Sequence, residues 1–254
     1  MDMYNMRVFN YGDSFQVRLY SKPVVSGVSR ETPDSTINAA EPISDDIIRM
    51  RAERSITSSL NRTKNKLYGI ARANEWDLFI TLTFDRNITD SSDYDLISRR
   101  TRNWLNNIQK RYCPDLKYLV VPELHADRIH WHIHGLLANI SGLKMLNTGI
   151  VKNGKSIYNL RGWKFGFSTA SYVVDSARCA SYICKYITKE LVTCIKNRKR
   201  FWASSNCTRI EDVTENYFID SQRDFFKSYG SNIDYVKSVN VLNVNDIKYL
   251  ELKL

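Results

Sequence analysis

The sequence is poor in several things, and each scarcity excludes a class of protein. No apolar run approaches the ~18 residues of a helical membrane span. Only five prolines and ten glycines occur in 254 residues, too few for a linker-dominated or low-complexity chain, so most of it is expected to fold. The five cysteines, Cys113, Cys179, Cys184, Cys194 and Cys207, are odd in number and never spaced as CxxC. They are read as reduced thiols of a cytosolic protein, neither a disulfide framework nor a zinc site. The N-terminus "MDMYNMRVFNYGDSF" has no basic, apolar-cored leader, so no signal peptide is expected. Carboxylates are outnumbered, 27 against 37 Lys and Arg, and the resulting charge of +10 favours a polyanionic partner. Nucleic acid is the commonest partner of that kind, and an acidic membrane surface is the bland alternative.

Histidine is the scarcest of all in its distribution. All four, His125, His130, His132 and His134, fall within "HADRIHWHIHGLL" (125–137). Around them the sequence predicts alternating strands and helices. Residues 7–21 read as a hairpin and 22–42, rich in Ser, Thr and Pro, as a linker. Residues 44–74 read as a basic helix with an acidic start. "WDLFITLTFD" (76–85) is a strand, 93–112 an amphipathic helix, and 116–124 with 128–140 two strands about a short Ala-Asp turn. An irregular insertion (141–162), a strand (163–169) and a helix (175–195) follow, and the tail beyond 205 has no readable pattern. The order predicts an α+β fold: a central antiparallel sheet with helices on one face. The expected division is an N-terminal hairpin and linker (1–43), a main α+β domain (44–205) and a C-terminal extension (206–254).

Side chains alternate faces along a strand. His130, His132 and His134 would therefore point one way, with neighbours in the ladder about 6–7 Å apart at Cα. Glu123, on the partner strand, would add a carboxylate. Two His and one Glu make a three-ligand set with open positions, as a catalytic metal requires. His132 and His134 are the preferred pair. His130 is the alternative, or lies behind the site or faces DNA, and His125 is read as a bystander in the turn.

A second pattern lies in "SYICKYITKEL". At ~100° per residue, Tyr182, Lys185, Tyr186 and Lys189 share one stripe, opposite Ala177, Ala180, Ile183, Cys184, Ile187 and Leu191. The apolar side must face the core, so the tyrosines are not needed there. A tyrosine beside lysines and a metal could attack a phosphate and store its bond energy as a phosphotyrosine ester. By contrast "GIVKNGKS" (149–156) fits the letter pattern of a phosphate-binding loop without a strand before it or helical periodicity after it. It is read as a turn between short strands, and no nucleotide cofactor is expected.

These motifs, in this order, resemble the HUH superfamily of single-strand DNA endonucleases, the rolling-circle replication initiators of phages and plasmids. "FITLTFD" (79–85) is similar to its first motif, "HWHIHGLL" with the upstream Glu to its second, and "YICKYITK" to its third, in the two-tyrosine form. The resemblance spans about 44–205. It implies an RRM/ferredoxin-like fold, with His132, His134 and Glu123 holding Mg²⁺ or Mn²⁺. It also implies Tyr182 as first nucleophile, Tyr186 as second, and Lys185 assisting at the phosphate. It further implies site-specific nicking and joining of single-stranded DNA at an origin, with a hairpin nearby and with host polymerase and helicase as partners, in the cytoplasm of a bacterial host. Arg49, Arg51, Arg54, Arg62, Lys64, Lys66, Lys189, Lys196, Arg198, Lys199 and Arg200 are the expected phosphate contacts. A related transposase or relaxase would use the same residues on other DNA. A non-catalytic nucleic-acid-binding protein would not need the tyrosines.

Overall fold

A computed structural model describes residues 3–25, 44–241 and 245–253. The elements run β1 (Met3–Asn10), β2 (Ser14–Val25), α1 (Asp45–Arg72), β3 (Leu78–Thr83), α2 (Tyr94–Arg111), β4 (Lys117–Leu124), β5 (Trp131–Ala138), β6 (Met145–Lys152), β7 (Lys155–Leu160) and β8 (Ser168–Tyr172). Then come α3 (Ser176–Ile183), α4 (Lys189–Cys194), β9 (Trp202–Ala203), β10 (Thr214–Tyr217), α5 (Gln222–Tyr229), β11 (Ile233–Val241) and β12 (Asn245–Lys253). The fold is α+β with two antiparallel sheets.

The chain divides into two compact units, one of residues 1–45 with 209–254 and one of 46–208. In the first, a five-stranded sheet of order β10-β1-β2-β12-β11 interleaves the two ends of the chain. Leu250 pairs with Val17 and Leu252 with Phe15, and with Met6 and Leu19 they form a small core that Phe225 and Phe226 of α5 pack against. The tail thus supplies three strands of a sheet whose other two come from the N-terminal hairpin. β2 also takes in residues 22–25 of the expected linker, and the rest of that linker up to residue 42 lies outside the described residues.

The second unit is built on a seven-stranded sheet, β6-β7-β8-β3-β5-β4-β9. Strand alternation divides its central residues cleanly. Leu78, Ile80 and Leu82 of β3 face the same way as Leu137, Gly135 and Ile133 of β5, their partners in register. That side meets α2, whose Tyr94 ring lies 5.1 Å from Trp131 and whose Trp104 ring lies 5.3 Å from Trp163. Asp93 caps α2, its carboxylate accepting from the amides of Asp95 and Leu96. The other side carries Phe79, Thr81, His132 and His134, and it is covered by the segment that contains Tyr182 and Tyr186. Helical contacts therefore fall on both sides of the sheet.

Three local expectations change. Residues 145–160 of the expected irregular insertion form a regular β-hairpin, and the turn between strands expected within 149–156 falls at Asn153 and Gly154, whose φ are 50° and 74°, the left-handed pair of a two-residue turn. The strand expected at 163–169 begins only at Ser168, because Trp163 is drawn into an aromatic cluster with Phe84, Trp104 and Phe165. The helix expected over 175–195 breaks after a 3₁₀ turn at Cys184–Tyr186. Ile187 is extended, and the Thr188 hydroxyl caps α4 by accepting from the Leu191 amide.

Gly166 has φ of 149°, and a Cβ there would lie 2.3 Å from the Thr83 carbonyl oxygen and 2.4 Å from the Asp85 nitrogen. Both neighbours are backbone of the chain leaving β3, and neither can step aside cheaply. Gly166→Ala is expected to cost about 2–4 kcal/mol and to lower the melting temperature by roughly 5–15 °C. Thermal denaturation followed by circular dichroism checks this.

Candidate active site

Three neighbouring strands set the site. In the antiparallel register Thr81 stands opposite His134 and Thr83 opposite His132 on one side of β5, while Val121 and Glu123 oppose the same two histidines on the other. The histidines are thus flanked by small hydroxyl residues and by a carboxylate, all on one face. Beneath them Gly135 points the opposite way, where a Cβ would lie 2.6 Å from Val120 Cγ1. A side chain there would push β5 and β4 apart directly under the site.

His134 is buried and held at both ring nitrogens. Its Nε2 lies 2.6 Å from Glu123 Oε2, and its Nδ1 lies 3.1 Å from Thr81 Oγ1. Its face stacks on Tyr186, ring centroids 3.7 Å apart and planes 6° from parallel. The hydrogen bond from His134 holds the Glu123 carboxyl below the usual carboxylate range. His132 is half-buried, and burial pulls its pKa below the ordinary histidine value. The His125 ring lies 4.8 Å from it, so His125 adjoins the site instead of standing apart. His130 lies just before β5. Its Nδ1 is 2.7 Å from Asp127 Oδ2 and its carbonyl accepts from the His125 amide, so it braces the turn.

Two of the three expected metal ligands, Glu123 and His134, already meet, and His132 shares their face. Among the described residues, however, no three His, Cys, Asp or Glu side chains are gathered closely enough to form a metal cluster. The donor chemistry, a carboxylate oxygen and imidazole nitrogens, fits a hard or borderline divalent cation. In the described arrangement Glu123 and His134 satisfy each other.

The two tyrosines differ. Tyr182 lies near the end of α3 and is 43% exposed, with Lys185 Nζ 4.6 Å from its ring centroid. Tyr186 lies in the 3₁₀ turn, half-buried. Burial, helped by a hydrogen bond with Tyr182, raises its phenol well above the ordinary tyrosine value. Phe79 touches His134, Tyr182 and Tyr186, at centroid distances of 6.2, 5.5 and 6.4 Å. Phe79 and Thr81 were not singled out in the sequence. Their alternation in "LFITLT", with Leu78, Ile80 and Leu82 in the core, is the signal that puts them on the site's face.

The basic residues are spread over several elements. Arg49, Arg51, Arg54, Arg62, Lys64 and Lys66 lie on α1, and Lys189 begins α4. The Lys64 carbonyl lies 3.9 Å from Cys184 Sγ, which places the C-terminal third of α1 beside the tyrosine segment. Lys196, Arg198 and Lys199 are exposed just after α4. Arg198 pairs with Asp95 at 3.1 Å. Arg200 turns inward, donating to Ser59 Oγ at 2.7 Å and Thr63 Oγ1 at 3.0 Å, and so ties the chain to α1. All five cysteines are free thiols.

The lowered Glu123 pKa has a sign. Its contribution to stability is fully present above the ordinary value of 4.5 and is lost as pH falls through the lower folded value. Glu123→Gln is expected to flatten the acid-side fall of the melting temperature, measured between pH 7 and pH 3. An unchanged acid limb would show that the His134 contact carries no stability.

No curated protein and no solved structure matches the chain. No helix of the described residues is long and apolar enough to cross a membrane. Residues 77–191, just under half of the chain, match the sequence profile of the ORF2-type family of replication-associated proteins. The matched stretch runs from just before β3 into α4 and contains Phe79, Thr81, Glu123, His132, His134, Tyr182, Lys185 and Tyr186. Its likeness to a replication-associated family supports a role in initiating replication.

Proposed function

We propose that the protein is a rolling-circle replication initiator of HUH type. It would nick and rejoin single-stranded DNA at an origin through a tyrosine-linked intermediate. The observation that supports this most is the meeting of a tyrosine pair with a His–Glu pair: Tyr186 stacks on His134, His134 bonds Glu123, and Tyr182 stands exposed beside them.

In this reading Tyr182 is the first nucleophile. Its hydroxyl oxygen attacks the scissile phosphorus, the bond from phosphorus to the 3′ oxygen breaks, and that oxygen leaves with a proton as a free 3′ hydroxyl. The phenol proton is lost on attack. The product is a 5′-phosphotyrosine ester, which conserves the bond energy for rejoining. Lys185 stabilises negative charge as it develops. Tyr186 is shielded and hard to ionise while stacked on His134, so it acts second, once the segment shifts. Glu123, His132 and His134 would hold a divalent cation, Mg²⁺ or Mn²⁺. When bound, that cation supplies charge neutralisation at a phosphate oxygen and raises the electrophilicity of phosphorus. Thr81 fixes the His134 ring by its Nδ1 contact, so that Nε2 faces Glu123. Phe79 and Tyr182 offer rings on which an unpaired base can stack. The exposed Lys189, Lys196 and Lys199, with α1, contact phosphates. Host polymerase and helicase would act downstream in the bacterial cytoplasm.

The test is a covalent adduct. The full chain is incubated with single-stranded origin DNA and Mn²⁺, or with chelator, and resolved on a denaturing gel. A metal-dependent shifted band is expected. Tyr182→Phe should reduce it by about 10²-fold or more and the Tyr182→Phe/Tyr186→Phe pair should abolish it, while Glu123→Gln and His134→Ala should each cost about 10²-fold or more. A band that survives in the double variant, or no band on DNA proven to contain the origin, would overturn the tyrosine mechanism. DNA binding without an adduct would leave the non-catalytic reading.

A further inference from the structure

α1 is 28 residues long, yet only its last turns, from Leu67 to Arg72, are buried. The side that packs continues upward through Thr63, Leu60, Ser59 and Ile56, and Arg200 is tied to it through Ser59 and Thr63. Opposite that side, at steps of three and four residues, lie Arg51, Arg54, Ser55, Ser58, Asn61, Arg62, Asn65 and Lys66. At 100° per residue they form one continuous stripe, along about 22 Å of helix axis. Seven of the eight are exposed and Arg51 is half-exposed. The stripe holds four cations, four short hydrogen-bonding side chains and no carboxylate. Glu53 lies about a quarter-turn away, toward the packed side.

We infer that this stripe is a docking surface for double-stranded DNA, the α1 helix lying along the major groove. Charge complementarity selects a polyanion. Shape and composition then select a duplex. A helix with one exposed, carboxylate-free face fits a groove about 12 Å wide. Serine and asparagine beside arginine are residues that meet phosphates and base edges there. Binding of single strands adds aromatic platforms to a basic groove. The stripe has none, whereas the candidate active site gathers Phe79, Tyr182 and Tyr186. The Lys64–Cys184 contact sets the helix beside the tyrosine segment. The protein would thus hold duplex on α1 while an adjoining single strand reaches Tyr182. The second half of that statement rests on the proposed function; duplex binding by the stripe does not.

The experiment measures binding of the full chain to a duplex of about 20 base pairs by fluorescence anisotropy between about 50 and 200 mM salt. A single strand of the same length and anionic lipid vesicles serve as parallel probes, and the quadruple variant Arg51→Gln/Arg54→Gln/Arg62→Gln/Lys66→Gln is compared with wild type. The duplex Kd is expected to rise about tenfold or more, and the salt slope to fall by about 3 to 4, as four lost phosphate contacts require. Single-strand affinity should fall by less than about threefold, given that stacking carries more of it. Should the quadruple variant lose its helical signal, Arg54→Gln and Arg62→Gln alone should each lower the duplex slope by about one. An unchanged duplex Kd and slope in these variants would overturn the inference. So would an equal loss for single strand and duplex, or a loss confined to vesicles. Tyr182→Phe/Tyr186→Phe should bind duplex like wild type. A chain that binds duplex through the stripe but forms no adduct would therefore fail the nicking reading alone.

Discussion

Everything in the candidate site follows from the register of three antiparallel strands. Because β3, β5 and β4 pair as they do, Thr81, His134 and Val121 fall on one rung and Thr83, His132 and Glu123 on the next. A slip of one residue would turn His134 into the hydrophobic layer and expose Ile133. The register is protected by that same layer: Leu78, Ile80, Leu82, Ile133 and Leu137 are all fully buried. Packing on one side of the sheet is thus the force that aims the polar groups on the other.

The close contact of His134 with Glu123 and Tyr186 is a consequence of that register. A buried imidazole with two ring nitrogens must have both satisfied, and the neighbouring strands supply a hydroxyl and a carboxylate at the two ends. The stacked Tyr186 closes the third direction. This makes the site well ordered but also self-satisfied. A cation or a phosphate entering there would displace a hydrogen bond that already exists. The difference in exposure between the two tyrosines comes from where the helix gives way to the 3₁₀ turn. Tyr186 sits in the 3₁₀ turn, stacked against the sheet, and Tyr182 sits about one helical turn earlier, where the chain still faces solvent.

The unit formed from the two chain ends solves a different problem. Taken separately, β1–β2 and β11–β12 are two-stranded ribbons. Paired edge to edge, β2 and β12 bring Val17, Leu19, Leu250 and Leu252 together. Two-stranded ribbons are marginal alone, and a third strand with a covering helix is what makes them stable.

Which residues share a face was legible in the chain alone. Period-two alternation in "FITLTFD" and "HWHIH" and the apolar side of α3, with Ala180 and Ile183 buried, follow from local geometry that every strand or helix obeys. The shared face of His132, His134 and Glu123 could therefore be read from one dimension. Other features emerged only on folding. His130 left the ladder because Asp127 captures its ring, and His125 joined the site through the bend of the turn. The tyrosine helix broke at Ile187, where the backbone turns extended before α4. β12 found its partner in β2, at the opposite end of the sequence, and no local pattern encodes that pairing. Local periodicity is fixed by the backbone of each element, whereas partner choice is fixed by which apolar faces remain to be covered once the elements have formed.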